Sequence, residues 1–265
     1  MKTKNKIEKA WLPYAADVPI FNVKHTISYP KDEQGNALPT TKQQIDRCGN
    51  RSVITYVRRP LYARDMPVFL ACLALVDRVI GNDYNVDANE TRFVSVTFKL
   101  SDLLKMLGVA RSNQSAVLES LQALAGANLQ VVTGVKHKNY YSGSLCIFKS
   151  LAPESGKPRF VTFGISRDFL PANTAVWGNV GLCIDLKSDI ARAIYWYMLF
   201  RESKTTDSRG WRKIVGSTTR RADWYKIKFA PALEELAANG YNIEQIQDEI
   251  TIRRPSFYSA KSVIR

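Results

Sequence analysis

The stretch from Phe93 to Ala125 constrains the fold more than any other part of the chain. It opens on an alternation in which Val94, Val96 and Phe98 share one face while Ser95, Thr97 and Lys99 share the other. That period of two predicts a half-buried strand. A short helix follows at once, Asp102 to Leu107, with Leu103, Leu104 and Leu107 on its apolar face. Ser101 is placed to cap it and Gly108 to end it. After a brief turn, Ser112 or Asn113 can cap a second helix reaching about Ala125, with Val117, Leu118, Leu121, Leu124 and Ala125 as its buried stripe.

The flanks complete a pattern. Upstream, Asp65 caps a helix to about Ile80, with Phe69, Leu70, Leu73, Val76 and Ile80 at helical spacing and Gly81 at its end. Further upstream, Ile45 leads into Cys48-Gly49-Asn50 and a β-branched strand, Ser52 to Val57. Downstream, Leu129–Val135 and Tyr140–Phe148 form a hairpin around the basic tip Lys136, His137, Lys138 and Asn139. Helix, strand, short helix, turn, longer helix and hairpin is the element order of a winged helix. In that design the short helix braces the longer one so that its first turn enters the major groove of DNA. The hairpin tip, the wing, lies against backbone phosphates.

The second half repeats the order. Asn179–Leu186 reads as a strand, and Ser188 caps a helix, Asp189–Phe200, with Ile190, Ile194, Tyr197 and Met198 inward. Trp211–Val215 is the short bracing element, closed by Gly216. The second long helix, Arg220–Asn239, carries Trp224, Ile227, Leu233 and Leu236 and ends at Gly240; Ile250–Ile252 is a closing strand. Pro231 costs about 3 kcal/mol inside a helix, which predicts a kink or a break there. The predicted fold class is α+β, two tandem winged-helix domains, each a helical core with a β-hairpin wing. The expected division is an N-terminal extension at 1–40, partly flexible and rich in Pro and polar residues, then a first domain at 41–170. A linker at 171–180, a second domain at 181–258 and a tail at 259–265 follow.

Charge narrows the partner. The 265 residues carry 38 Lys and Arg against 24 Asp and Glu, a net charge of +14, while 45% apolar residues suffice for a packed core. A surplus of that size predicts a polyanion, either nucleic acid or an anionic membrane. Membrane binding wants cations along one helix face opposite exposed bulky apolar residues; here the cations gather at turns and helix starts. No run reaches the length of a spanning helix, and no apolar signal core follows the basic segment Met1–Lys9. The expected place is therefore the cytoplasm of a bacterial cell.

Catalytic chemistry finds little footing. The four cysteines, Cys48, Cys72, Cys146 and Cys183, are too far apart for a zinc ribbon or a redox pair. They read as reduced, small apolar residues. His25 and His137 stand alone. There is no Gly-rich loop ending in Gly-Lys-Ser/Thr and no Gly-x-Ser-x-Gly elbow. Glu234 and Glu235 read as a solvated helix face. A nicking tyrosine among Tyr140, Tyr141, Tyr195 and Tyr197 lacks clustered metal ligands. A non-enzyme without cofactor or metal is expected.

The DNA-binding candidates follow from the two long helices and the wings. Arg111, Ser112, Asn113, Gln114 and Ser115 open the first recognition helix. Asn and Gln pair bidentately with adenine and Arg with guanine, and the two serines can reach phosphate; the plain alternative is a polar first turn that only caps. Lys136 and Lys138 are the candidate phosphate grip of the first wing, against a solvated turn. The densest basic cluster is Lys204, Arg209, Arg212, Lys213, Arg220, Arg221, Lys226 and Lys228, interleaved with Thr218, Thr219 and Trp224, against only Asp207 and Asp223. Like charges at that density repel unless an anion neutralises them. Arg220 and Arg221 begin the second recognition helix, and Arg253 and Arg254 are assigned to the second wing.

Segments Arg59–Leu73, Val96–Gly108, Ser115–Leu124, Tyr141–Leu145, Ala230–Gly240 and Ile250–Pro255, with Trp11–Asn22 ahead of them, together resemble one family. It is that of the tandem winged-helix replication initiators of broad-host-range plasmids, the IncP and IncQ types. The resemblance spans about residues 11 to 255 and lies in order and spacing. It implies an initiator that binds directly repeated origin sites, called iterons, on double-stranded DNA. Such proteins use both modules on successive major-groove faces and bend the DNA. They help open an A·T-rich segment, after which the host helicase and other replication proteins are recruited. It also implies no ATPase, active monomers, and a restraining homodimer through the first module. The alternatives are a winged-helix transcriptional repressor on a palindrome, and a peripheral membrane or RNA-binding adaptor.

Overall fold

The computed structural model describes residues 9–13, 21, 23, 32–34, 38, 40–45, 51–57, 59–80, 93–133, 138–151, 158–166, 175–217, 219 and 223–255. Among them, helix α1 (Met66–Ile80) is the centre of the first unit. Every residue from Met66 to Val76 is buried, which is why its apolar positions are nearly continuous rather than striped. Around it stand β1 (Lys9–Pro13), β2 (Thr40–Ile45), β3 (Arg51–Tyr56), β4 (Phe93–Lys99), α2 (Leu100–Leu107), α3 (Gln114–Ala125), β5 (Ala127–Thr133), β6 (Lys138–Ser144), β7 (Cys146–Leu151) and β8 (Phe160–Ser166). The strand predicted at 93–99 alternates in burial as its sequence requires. Gly108 closes α2 at φ 63° in the left-handed region that favours glycine. Helix α2 begins two residues earlier than expected, at Leu100, and Lys99 rather than Ser101 precedes it.

The first unit has two sheets where one hairpin was expected. One has the order β2-β3-β5-β6, the other β4-β8-β7. In a winged helix the returning wing strand pairs with the strand before the short helix, and β8 does this here. Val94, Val96 and Phe98 face Ile165, Phe163 and Val161 across the ladder. The first wing is therefore β7–β8. The hairpin β5–β6, read from sequence as the wing, joins β3 in a separate sheet.

Asp65 ties these elements together. Its fully buried carboxylate receives both Arg59 Nη atoms at 2.7 and 2.8 Å, Ser120 Oγ of α3 at 2.6 Å, and the backbone N–H of Tyr62 at 2.8 Å. Rather than capping α1 directly, it fixes the 3₁₀ turn Ala63–Asp65 that feeds α1 and locks α3 against it.

The second unit consists of β9 (Ala175–Asn179), α4 (Val180–Asp185), α5 (Asp189–Leu199), β10 (Ser203–Asp207), α6 (Ser208–Ile214), α7 (Ala230–Ala238), β11 (Asn242–Ile246) and β12 (Glu249–Arg253). Its sheet order, β10-β12-β11, repeats β4-β8-β7. Asn179–Leu186, expected as a strand, is mostly helix α4, because the Asn179 side chain caps it through Leu182 N–H. Ala175–Asn179, expected within the linker, is a strand paired antiparallel to β1. Ser188 caps α5 as predicted, accepting from Ile190 and Ala191 N–H.

Before α7, Trp224–Phe229 forms a π-helical turn, and Pro231 sits in the first turn of α7. The break predicted at Pro231 is thus a change of helix type. A proline in a first turn lacks an N–H that would have no helical partner there. Glu235 is not the solvated side chain expected of it. Its carboxylate accepts the N–H of Lys187 and of Ser188, the latter at 3.0 Å, tying α7 to the start of α5.

The two units share one apolar core. Trp196 of α5 meets Phe69 of α1 at 6.3 Å between ring centroids and Phe21 at 5.0 Å. Tyr195 Oη donates to Asn179 O and accepts from Asn179 N–H.

Candidate nucleic-acid interface

The start of α3 is open. Arg111, Ser112, Asn113 and Ser115 are exposed and Gln114 is half-buried. Residues Arg111–Asn113 form a 3₁₀ turn, and the Asn113 side chain makes no capping bond to α3. β7, which packs against α3, and the approach to β8 carry Lys149 and Arg159, both exposed. Neither was singled out from sequence. The matching alternations Val94/Val96/Phe98 and Val161/Phe163/Ile165 were the signal that would have found this wing. Lys138 starts β6 in the other sheet, and Lys136 lies outside the described residues.

The second unit gathers its cations on α6 and the π-helical turn. Asp207 caps α6, accepting Gly210 N–H at 2.7 Å. Arg209, Arg212, Lys213, Gly216 and Ser217 line a cleft of about 480 Å³. A second cleft, of about 590 Å³, shares Arg209 and Arg212 and continues along Trp224, Tyr225, Gln245 and Asp248. Trp211 and Trp224 are buried beneath, donating to Ile250 O at 3.0 Å and Ser208 O at 2.9 Å, which fixes α6 against the wing and the recognition helix. Arg212 Nε is buried and has no hydrogen-bond partner among the described residues. A buried, unsatisfied donor on a charged group is costly. A phosphate oxygen entering the cleft would satisfy it by a charge-assisted bond.

Lys226 and Lys228 are exposed on the π-helical turn. So is Ile227, at 59%, although its sequence position predicted an inward side chain. Trp224 and Phe229, five residues apart across the π-helical turn, stack at 5.2 Å, with Ile227 outside the stack. Thr219 is half-buried, while Thr218, Arg220 and Arg221 lie outside the described residues. Lys204 is half-buried on β10, opposite Ile252.

Arg253 and Arg254 do not sit at the second wing tip. The β11–β12 turn is Gln247–Asp248, with Gln247 at φ 53°, whereas Arg253 pairs with Asn242 at the other end of the ladder. Arg253 bonds Glu244 at 2.5 Å and Arg254 donates to Leu199 O at 2.7 Å. The tip itself carries Asp248 and Glu249, both exposed, so it repels phosphate.

Cys72, Cys146 and Cys183 are buried free thiols. Burial pushes Cys183 up to about 12, against a smaller opposing pull from Arg192, and raises the other two as well. Cys48, His25 and His137 lie outside the described residues. Among those described, no group of three or more His, Cys, Asp or Glu is placed to hold a metal, and no helix is long and apolar enough to cross a membrane.

This geometry has counterparts among solved structures. Domains 2 and 3 of RctB share it with a TM-score of 0.56 at 10% identity, over 90% of this chain and 96% of that one. The Pi initiator protein, solved in complex with iteron DNA, shares it with a TM-score of 0.54 at 8% identity, over 95% of this chain and 99% of its own. What is shared is the fold. No protein-family model and no curated protein matches the chain. At such identities the likeness is one of fold, and it extends over 90% and 95% of this chain, and so over both units.

Proposed function

We propose that this chain is a replication initiator that binds repeated origin sites, or iterons, on double-stranded DNA. In this reading it helps open the origin and recruits the host helicase and other replication proteins. The observation that carries the reading is two winged-helix units on one continuous core, each offering a polar or cationic first recognition turn to the same kind of ligand. Units fixed in one chain do not obey the two-fold symmetry that a palindrome requires of a dimer. They suit a directional site, repeated head to tail. The Pi initiator protein, in the same fold, was solved on iteron DNA.

The roles divide by chemistry. Arg111, Asn113 and Gln114 read base edges from the first unit, while Ser112 and Ser115 reach phosphate. Arg209, Arg212 and Lys213 hold backbone phosphate in the second, and Arg220 and Arg221, which lie outside the described residues, are assigned to the same contact from sequence. Lys149 and Arg159 serve the first wing. The elements of the two units lie within Lys9–Ser166 and Ala175–Arg253. A homodimer through the first would compete with the monomer that initiates.

A nuclease footprint on the replicon's own DNA, at several salt concentrations, tests this. Same-orientation protections of about two helical turns each support iteron binding. One palindromic protection over a promoter identifies a repressor instead. Uniform protection lost at modest salt leaves charge without specificity.

A further inference from the structure

We infer that Ile227 is a specificity residue that reads thymine, packing against the C5-methyl group of a T·A pair in the major groove. The inference rests on the reading of the second recognition helix as a DNA reader. Ile227 is one of the most exposed large apolar side chains of the described residues, 59% exposed. It stands four, seven and eleven residues before Pro231, Glu234 and Ala238, which are exposed too, and so shares their face. The opposite face, Phe229, Ala232, Leu233 and Leu236, is buried in the core.

In this fold the face turned away from the core is the one that enters the groove, and residues in the first turns meet base edges. Ile227 is in the first turn counted from Trp224. An isoleucine left in water forgoes the gain of burial, and a stripe otherwise made of Pro231, Glu234 and Ala238 gives it no bulky apolar neighbour.

The flanking residues identify the partner. Lys226 and Lys228, both exposed, bracket it with positive charge. A protein-binding core is depleted in lysine, whereas a lone apolar side chain between two cations fits a groove with phosphates on either side. Of the four bases only thymine presents a methyl group there.

The test selects duplexes from a random library with the full chain and with Ile227→Ala, then replaces each selected thymine by deoxyuridine. The wild type should select a site with one thymine whose replacement weakens binding by about fourfold, the worth of one buried methylene. Ile227→Ala should lose that preference and bind the two duplexes equally, and Ile227→Val should retain part of it. If the wild type selects a site but deoxyuridine is neutral everywhere, the inference is overturned and DNA reading stands. The same holds if Ile227→Ala keeps the full penalty, or abolishes a protein–protein contact instead. If the wild type selects no site, the DNA-reading function itself fails.

Discussion

Asp65 is the residue on which the first recognition helix hangs. Its carboxylate joins Arg59, the Tyr62 N–H and Ser120 of α3 in a site closed to water, and Arg59 is itself mostly buried. Removing one partner of a buried pair strands the other, at a cost of about 3–5 kcal/mol. Asp65→Ala should therefore lower stability by about that much in a denaturant titration, and a double variant with Arg59→Met should recover part of the loss. The buried thiols give a second expectation. Cys183 holds its proton to about 12 in the folded chain against an ordinary value of 9.0. The folded state then binds more protons than the unfolded state between those values, so stability is full below pH 9 and falls as pH rises towards 12. Unfolding midpoints measured across that window should drop, and Cys183→Ala should flatten the decline. The sequence already marked these cysteines as small apolar residues, since none has a neighbour to react with. It did not reveal the Asp65 clamp, because Arg59, Asp65 and Ser120 meet only after α3 has folded back onto α1.

The α6 helix carries the phosphate argument, and it is testable by salt. If Arg212 neutralises one phosphate, Arg212→Ala should weaken duplex binding and reduce the slope of log affinity against log salt by about one. Arg253→Ala should leave the slope unchanged, since that guanidinium is already paired with Glu244 away from the wing tip. Both arginines belong to basic runs and look alike in sequence; only strand register separates them. The same lesson holds for the first wing. Alternation told strands from helices, and Phe93–Lys99, α2, Gly108, α3 and the Ser188 cap were all legible because each is set by residues within a turn or two. Which strand pairs with β4 is a long-range choice. The nearer hairpin, β5–β6, was a reasonable candidate, but the buried alternation of β8 matches β4. Helix α4 was misread as a strand because Val180, Leu182 and Ile184 alternate; the Asn179 cap decides the matter locally.

At the scale of the molecule, the shared core fixes how the two units are set relative to each other, and so how they act in the DNA reading proposed above. Trp196 of the second unit packs on Phe69 of the first, Tyr195 holds Asn179 by two hydrogen bonds, and β1 pairs with β9 at the junction. Such a junction has little freedom to swivel, because interiors are close-packed and resist deformation. Two readers on a flexible tether would tolerate changes in the spacing of their half-sites, since effective concentration falls only slowly with distance. Two readers on one core require the grooves at a fixed angle. B-form DNA turns once in about 10–10.5 base pairs, so inserting about five base pairs between the two halves of a selected site turns the second groove to the far side of the duplex. Binding to that duplex should fall to the level of one unit alone, and inserting a full turn should not restore it, because the grooves then face the same side at a distance the core does not span. The measurement is a titration of the full chain against the native, half-turn and full-turn duplexes at one salt concentration. Near-equal affinities for all three would mean that the units move independently on DNA.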